Sequence, residues 1–177
     1  MKIFRACPIL TAALAVRFEF GGQGYNQLDA KARCEERGGT LPYFNNEAEY
    51  EQYLEAYYED SPKWNRRVWL GYERVPGTDT FVAPNGQTEN LFFDWHSGEP
   101  NNANYNGGTH INPTFAPPKD PDAPWGTKKQ RNKWPKGENC VEISSWGRNK
   151  RGMGTYKMND NNCRRPRYFL CRFEDEV

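Results

Sequence analysis

Acidic and amide side chains recur at three places in the C-terminal half of this 177-residue chain. Calcium takes roughly six to eight oxygen ligands, and carboxylate and amide oxygens are among the donors it prefers in proteins. The residue types therefore make calcium binding a candidate function here, with the acids and amides of Glu99-Pro100-Asn101, Glu138-Asn139-Cys140 and Asn159-Asp160 as candidate donors.

The same donor set suggests what the ion could bind in turn. Three carboxylates on a divalent ion leave room for weak, exchangeable neutral ligands, and a pair of sugar hydroxyls is one such ligand. A carboxylate only accepts hydrogen bonds, whereas an amide nitrogen donates them. An acid paired with an amide beside the ion would therefore let each hydroxyl coordinate calcium, donate to the acid and accept from the amide.

Two helical patterns precede a series of short strands. Residues 26–37 predict a helix that glycines at 38 and 39 would end, and a capping-box-like start at Asn46 predicts a second helix to about residue 58. Strands are predicted at residues 68–72, 140–143 and 168–173. Two helices followed by strands and long, turn-rich loops indicate an α+β domain.

These motifs together resemble the C-type lectin-like domain family, in its mannose-type subgroup. The resemblance covers about residues 17–173 and rests on Val68-Trp69-Leu70-Gly71, Glu99-Pro100-Asn101, Glu138-Asn139-Cys140-Val141, Asn159-Asp160 and the cysteines Cys34, Cys140, Cys163 and Cys171. It implies a C-type lectin-like fold with two helices, small antiparallel sheets and a long calcium-binding loop region.

The resemblance also implies a function. It makes Ca2+ the cofactor, and it assigns both calcium binding and carbohydrate binding to one set of residues: Glu99, Asn101, Glu138, Asn159 and Asp160. Pro100 would follow a cis peptide bond. The Glu-Pro-Asn order goes with mannose, N-acetylglucosamine or fucose in this family, which predicts a non-enzymatic lectin for mannose-type glycans.

The cysteines are expected to form disulfides, because no CxxC pair suggests metal binding by sulfur. Four cysteines allow three pairings on their own. The resemblance selects Cys34 with Cys171 and Cys140 with Cys163. Cys7 has no assigned partner.

Three positions depart from the family pattern. Met158 replaces a tryptophan, and packing is expected to survive because methionine is apolar and adaptable. Asn102 and Asn139 stand where aspartates often support an auxiliary calcium, so a second ion is not expected. The segment 103–137 is an insertion that holds six of the thirteen prolines. It is either a solvated loop or a wall beside the sugar site.

The N-terminus allows two interpretations. Lys2 and Arg5 precede a short apolar run at residues 9–16, which is typical of a signal peptide and would make residues 17–177 a secreted, extracellular lectin domain. Alternatively, residues 16–20 form a first strand and the preceding run belongs to the fold. No run reaches the roughly 20 apolar residues that a membrane-spanning helix needs.

Charge is uneven along the chain although its net value is +1. Residues 29–60 carry a net charge of −6 and residues 148–167 a net charge of +6. Two solvated faces explain this pattern, and no nucleic-acid partner is predicted. The alternative functions, with only structural calcium, are protein interaction through the insertion or sulfated-glycan binding by a basic cluster. This cluster consists of Arg148, Lys150, Arg151, Arg164, Arg165 and Arg167. Because one sugar site binds weakly, useful avidity needs repeated glycans or a homo-oligomer.

Overall fold

The computed structural model describes residues 15–60, 67–75, 78–102, 137–146 and 155–175. In these ranges the chain forms two helices, α1 (Gln27–Glu36) and α2 (Glu47–Asp60). It also forms the strands β1 (Ala15–Tyr25), β2 (Val68–Arg74), β3 (Phe81–Val82), β4 (Cys140–Trp146), β5 (Thr155–Asn161) and β6 (Arg167–Asp175). The predicted α+β class is confirmed.

The strands form one sheet in the order β1-β6-β2-β4-β5, with β3 paired to β2. The last strand, β6, lies between β1 and β2, antiparallel to β1 and parallel to β2. The sheet is therefore mixed, whereas the sequence analysis expected antiparallel pairing throughout. The pair of β2 and β6 is parallel because both strands run in the same direction, with Val68 opposite Tyr168 and Trp69 opposite Phe169.

Both helices begin with local hydrogen bonds that the sequence encodes, and α1 also ends with one. The Asn26 side chain accepts from the Asp29 N–H at 2.8 Å at the start of α1. Gly39 donates back to the Cys34 carbonyl at its end, as glycines past a helix C-terminus commonly do. At α2, the Asn46 side chain accepts from the Glu49 N–H at 3.0 Å. The predicted capping-box-like start is thus present.

Aromatic rings fill the larger part of the core. Phe44 contacts the rings of Phe18, Tyr50, Tyr53 and Tyr72, with centroids 5.2–6.5 Å apart. The buried Tyr72 hydroxyl accepts from the Phe44 N–H at 2.7 Å, so its polar atom is satisfied inside the core. This arrangement joins α2 and β1 to the central strand β2.

A second cluster contains both disulfides. Cys34 on α1 is bonded to Cys171 on β6, and Cys140 at the start of β4 is bonded to Cys163 just after β5. These are the two bridges that the resemblance implies. The buried Trp69 lies in the same cluster and donates its indole N–H to a backbone carbonyl at 3.0 Å. The second bridge links the start of β4 to the residues just after β5, close in sequence to Glu138 and Asp160.

Two predictions lie partly outside the described residues. The strand expected at residues 16–20 is present within β1, but residues 1–14 are not described, so the leader remains a prediction. The insertion likewise remains a prediction, since residues 103–136 are not described. None of the described helices combines the length and apolar character needed to cross a bilayer.

Candidate functional site

The segment that carries Glu99 and Asn101 is docked on strand β5. The Met158 N–H donates to the Asp94 carbonyl at 2.7 Å, and the His96 N–H donates back to the Met158 carbonyl at 2.9 Å. Met158 is fully buried in the aromatic core, as expected for an apolar replacement of tryptophan. This pairing brings the residues after His96 beside Asn159 and Asp160.

A tight turn then reverses the segment. The Glu99 N–H donates to the His96 carbonyl at 3.0 Å, and Gly98 has a φ of 87°. Positive φ values favour glycine, which has no Cβ to clash. The peptide bond before Pro100 is cis, in agreement with the resemblance.

Asp160 holds the far side of this turn through backbone amides. Its Oδ1 accepts from the Asn101 N–H at 3.1 Å, and its Oδ2 accepts from the Asn102 N–H at 2.7 Å. Asp160 is fully buried, so these bonds form away from solvent. The carboxylate therefore fixes the backbone of the segment as well as contributing charge.

Glu99 and Asn101 form an acid–amide pair at the surface. The Glu99 carboxylate accepts from the Asn101 backbone N–H at 3.1 Å and from its side-chain amide at 2.8 Å. Desolvation, the carboxyl of Asp160 and the charge of Glu138 together raise the pKa of Glu99 to about 7. Besides burial, the raised pKa of Glu99 thus reflects the negative charge of Asp160 and Glu138 close by, which marks a region that attracts a cation.

Glu138 approaches the same turn from the other side. Its backbone N–H donates to the Asn102 Oδ1 at 3.1 Å, two residues before β4 begins. In the β4–β5 ladder Val141 is opposite Asp160, so the two strands keep Glu138 near the carboxylates. The Asn102 side-chain oxygen is therefore engaged by protein backbone.

Asn159 is buried on β5 and contacts the rest of the set through backbone. Its side-chain amide donates to the Asp160 carbonyl at 2.5 Å. The structure thus brings Glu99, Asn101 and Asp160 into direct contact, with Glu138 and Asn159 beside them. Among the described residues, no three His, Cys, Asp or Glu side chains converge in metal-binding geometry.

Arg74 is a site residue that the sequence analysis missed. Its Nη2 is 2.5 Å from the Asp160 Oδ2, and its Nε donates to the Glu138 carbonyl at 3.3 Å. The side chain is 1% exposed and that of Asp160 is 0% exposed. Arg74 lies two positions after the buried Tyr72 on β2. Strand residues two apart share a face, so this alternation was the available signal.

The donor set fits a hard divalent cation by chemistry and by charge. All its ligand atoms would be oxygens, which calcium prefers. The guanidinium of Arg74 offsets one of the three carboxylates, leaving a net charge equal and opposite to that of Ca2+. The amides of Asn101 and Asn159 add neutral oxygens.

The basic cluster proposed for sulfated glycans is only partly described. Arg148, Lys150 and Arg151 lie outside the described residues. Arg167 donates through Nε to Glu142, a fully buried carboxylate that also accepts from Arg67 at 3.1 Å. Arg167 is therefore engaged in the fold rather than presented as a free surface charge.

Comparison with known proteins identifies the family of this chain. Residues 23–173 match the family described as "Lectin C-type domain". E-selectin from Sus scrofa is 28% identical over 143 residues, which are 81% of this chain but 22% of that protein, so the chain spans about a fifth of its length.

Solved structures share the fold. The cow CD23 carbohydrate-recognition domain, determined in the presence of a GlcNAc2Man3 oligosaccharide, has a TM-score of 0.56 at 20% identity, with 97% of this chain and 98% of that chain covered. A calcium-independent type II antifreeze protein also has a TM-score of 0.56, at 15% identity, with 96% and 95% covered. At these identities the likeness shows the fold alone. By the match to its family over residues 23–173, the chain belongs to the C-type lectin domain family.

Proposed function

We propose that this protein is a calcium-dependent carbohydrate-binding domain that selects mannose-type glycans, including those of N-acetylglucosamine and fucose. The observation that carries the proposal is the contact between Glu99, Asn101 and Asp160, with Glu138 beside them. These groups concentrate negative charge at a partly exposed turn and set a hydrogen-bond donor next to an acceptor. The oligosaccharide present with the cow CD23 domain supports a glycan as the ligand.

In this proposal the exposure of each side chain determines whether it holds the turn or contacts the sugar. Asp160 is buried and holds the turn, whereas Asn101 is exposed and Glu99 is partly exposed. When bound, calcium would supply a positive centre that coordinates two neighbouring sugar hydroxyls. Glu99 would accept a hydrogen bond from one hydroxyl while the Asn101 amide donates a hydrogen bond to the same hydroxyl. Glu138 and Asn159 would provide the second acid–amide pair.

The same proposal includes where the protein acts and how it would reach useful avidity. Two disulfides are typical of an oxidising compartment, so we place the protein outside the cell, with a leader that ends before the buried Val16 of β1. A single sugar site is small and wet, and we expect useful avidity from repeated glycans or repeated subunits.

Binding to immobilised mannan tests the proposal. The protein should be retained in calcium, released by chelator and competed by mannose but not galactose. Glu99→Gln should abolish retention. Glu73→Gln is the matched control, because Glu73 is a partly buried acid that pairs with Lys31 outside the ligand set.

Two results would count against the proposal. Retention that survives the chelator would remove calcium from the mechanism. No retention by a protein that binds calcium in calorimetry would make the ion structural, and would move the search to protein partners of the insertion.

A further inference from the structure

The guanidinium of Arg74 contacts both segments that carry the proposed ligands. Its Nη2 pairs with the Asp160 carboxylate at 2.5 Å, and its Nε donates to the backbone carbonyl of Glu138 at 3.3 Å. Its Nη1 pairs with Asp79 at 2.8 Å, and the guanidinium carbon Cζ lies 4.6 Å from the centre of the Phe81 ring. A planar, permanently charged fork suits this multiple role better than a single ammonium group.

The same carboxylate connects Arg74 to the turn. The Asp160 Oδ2 accepts from Arg74 and from the Asn102 N–H, while its Oδ1 accepts from the Asn101 N–H. A buried carboxylate that lost its cation would be strongly disfavoured as an anion. Asp160 would then leave its present position, so the Asn102 N–H would lose its acceptor and the Asn101 N–H would keep only the Glu99 carboxylate.

We propose that Arg74 is a built-in cation that docks the segment 99–102 on Asp160 before any metal ion binds. The ligand residues are then arranged in the metal-free protein, because the Arg74 guanidinium already pairs with the carboxylate that holds their backbone. Arg74 is a positioning residue, since it touches the ligands rather than the sugar. The inference rests on the proposed function only in naming calcium as the incoming ion.

Backbone amide exchange of Asn101 and Asn102 tests the proposal in the full chain. In chelator, both amides of the wild-type protein should exchange slowly. Arg74→Met should accelerate their exchange by about 100-fold in chelator, and calcium should largely restore the protection because it pairs Asp160 again. The melting temperature of the variant should fall by roughly 10 °C in chelator and by much less in calcium.

Arg172→Met is the matched control. Arg172 is also a buried arginine in an ion pair, 2.8 Å from Glu49, but the hydrogen-bond partners of its side chain, Tyr43, Glu49 and Glu174, lie outside the ligand set. This variant should lose the same stability in calcium and in chelator, and it should leave exchange of Asn101 and Asn102 unchanged. An Arg74→Met protein that behaves like this control would overturn the proposal, as would rapid exchange of both amides in metal-free wild-type protein.

Folding failure of the methionine variant would still be informative. Failure in chelator with folding in calcium supports the proposal. If it fails in both, Arg74→Lys decides: its single ammonium cannot reach all three partners, so exchange should be faster than wild type in chelator and recover in calcium. Identical exchange in Arg74→Lys and wild type would overturn the proposal. Absence of calcium binding by the wild-type protein would overturn the proposed function instead, leaving the chelator experiment to judge Arg74.

Discussion

The backbone N–H of Glu138 donates to the side-chain oxygen of Asn102 at 3.1 Å, although 36 positions separate the two residues. This bond holds the two ends of the insertion together at the edge of the candidate site. Because the two flanking residues already contact each other, the fold needs no long segment to connect them.

Deleting residues 105–136 should therefore preserve the domain. Three residues would connect the joined ends, and shortening a loop changes its closure free energy slowly, by at most about 2 kcal/mol here. We expect the melting temperature and the calcium affinity from calorimetry to stay near those of the full chain. Mannose affinity that changes while calcium affinity does not would identify the insertion as a wall of the sugar site. Loss of calcium binding would contradict the placement of the insertion beside, rather than within, the ligand set.

Exchanging the acid and the amide should change sugar preference. In Glu99→Gln with Asn101→Asp, the donor and the acceptor at the exposed edge trade places, and we expect preference to shift from mannose toward galactose. Competition of mannan binding by the two free sugars measures the shift. Calorimetry must show that calcium still binds, because a variant that keeps calcium and mannose selectivity would contradict the assigned roles of these two residues.

The stability of the metal-free protein should fall as pH rises from about 4.5 to about 7. Burial, Asp160 and Glu138 raise the pKa of Glu99 to about 7, whereas its ordinary value is 4.5. Between these values the unfolded chain has lost the proton that the folded chain still holds, so raising the pH favours unfolding. Above pH 7 this contribution is constant.

Urea unfolding in chelator across this range measures the effect, and Glu99→Gln isolates it. Subtracting the glutamine variant's pH profile should leave a decline confined to the window between the two pKa values. A difference profile that is flat, or that rises with pH, would contradict a raised pKa of Glu99 in the folded protein.

The two disulfides should have separable effects. The Cys34–Cys171 bridge spans 137 positions and the Cys140–Cys163 bridge spans 23. On a loop-entropy estimate they stabilise the fold by about 5 and about 3 kcal/mol respectively. Replacing Cys140 and Cys163 by serine should nevertheless weaken calcium binding more, by about tenfold, because Cys140 lies two residues after Glu138 and Cys163 three residues after Asp160.

Denaturant unfolding and calcium calorimetry on the two double-serine variants check this separation. The Cys34 and Cys171 variant should lose more stability yet keep its calcium affinity at temperatures where it is folded. Equal losses of affinity in both variants would mean that the second bridge has no particular role at the site.

Local patterns predicted the elements that depend on neighbouring residues. The glycines at 38 and 39 predicted the end of α1, the capping-box-like pattern at Asn46 predicted the start of α2, and the buried run at residues 68–72 predicted the central strand. β5 was not predicted, since Thr155–Asn161 is mostly polar and owes its strand conformation to pairing with β4. The parallel pairing of β2 with β6 depends on how distant segments meet, which no local pattern encodes.

In the candidate site, too, the residue types could be predicted from the sequence but the contacts between distant residues could not. Residue types and the family resemblance gave Glu99, Asn101, Glu138, Asn159 and Asp160, but not the backbone bonds that connect them. Arg74 was missed because a lone arginine after an apolar run reads as the exposed end of a strand. Its burial is explained only by Asp160, which lies 86 positions away in sequence.

The pairing of the first strand with the last bears on how the domain would respond to mechanical force. Ala15 is opposite Asp175, so the ends of the described chain are neighbours, and tension applied there would peel β1 from β6 one hydrogen bond at a time. The peeling would stop at the covalent bridge between Cys34 and Cys171. Beyond that point force would pass through the bridge and bypass residues 35–170. The turn at 99–102 and its carboxylates lie inside this closed loop, so a ligand held there could pull on the domain's surface while tension along the chain leaves the site's geometry unstrained.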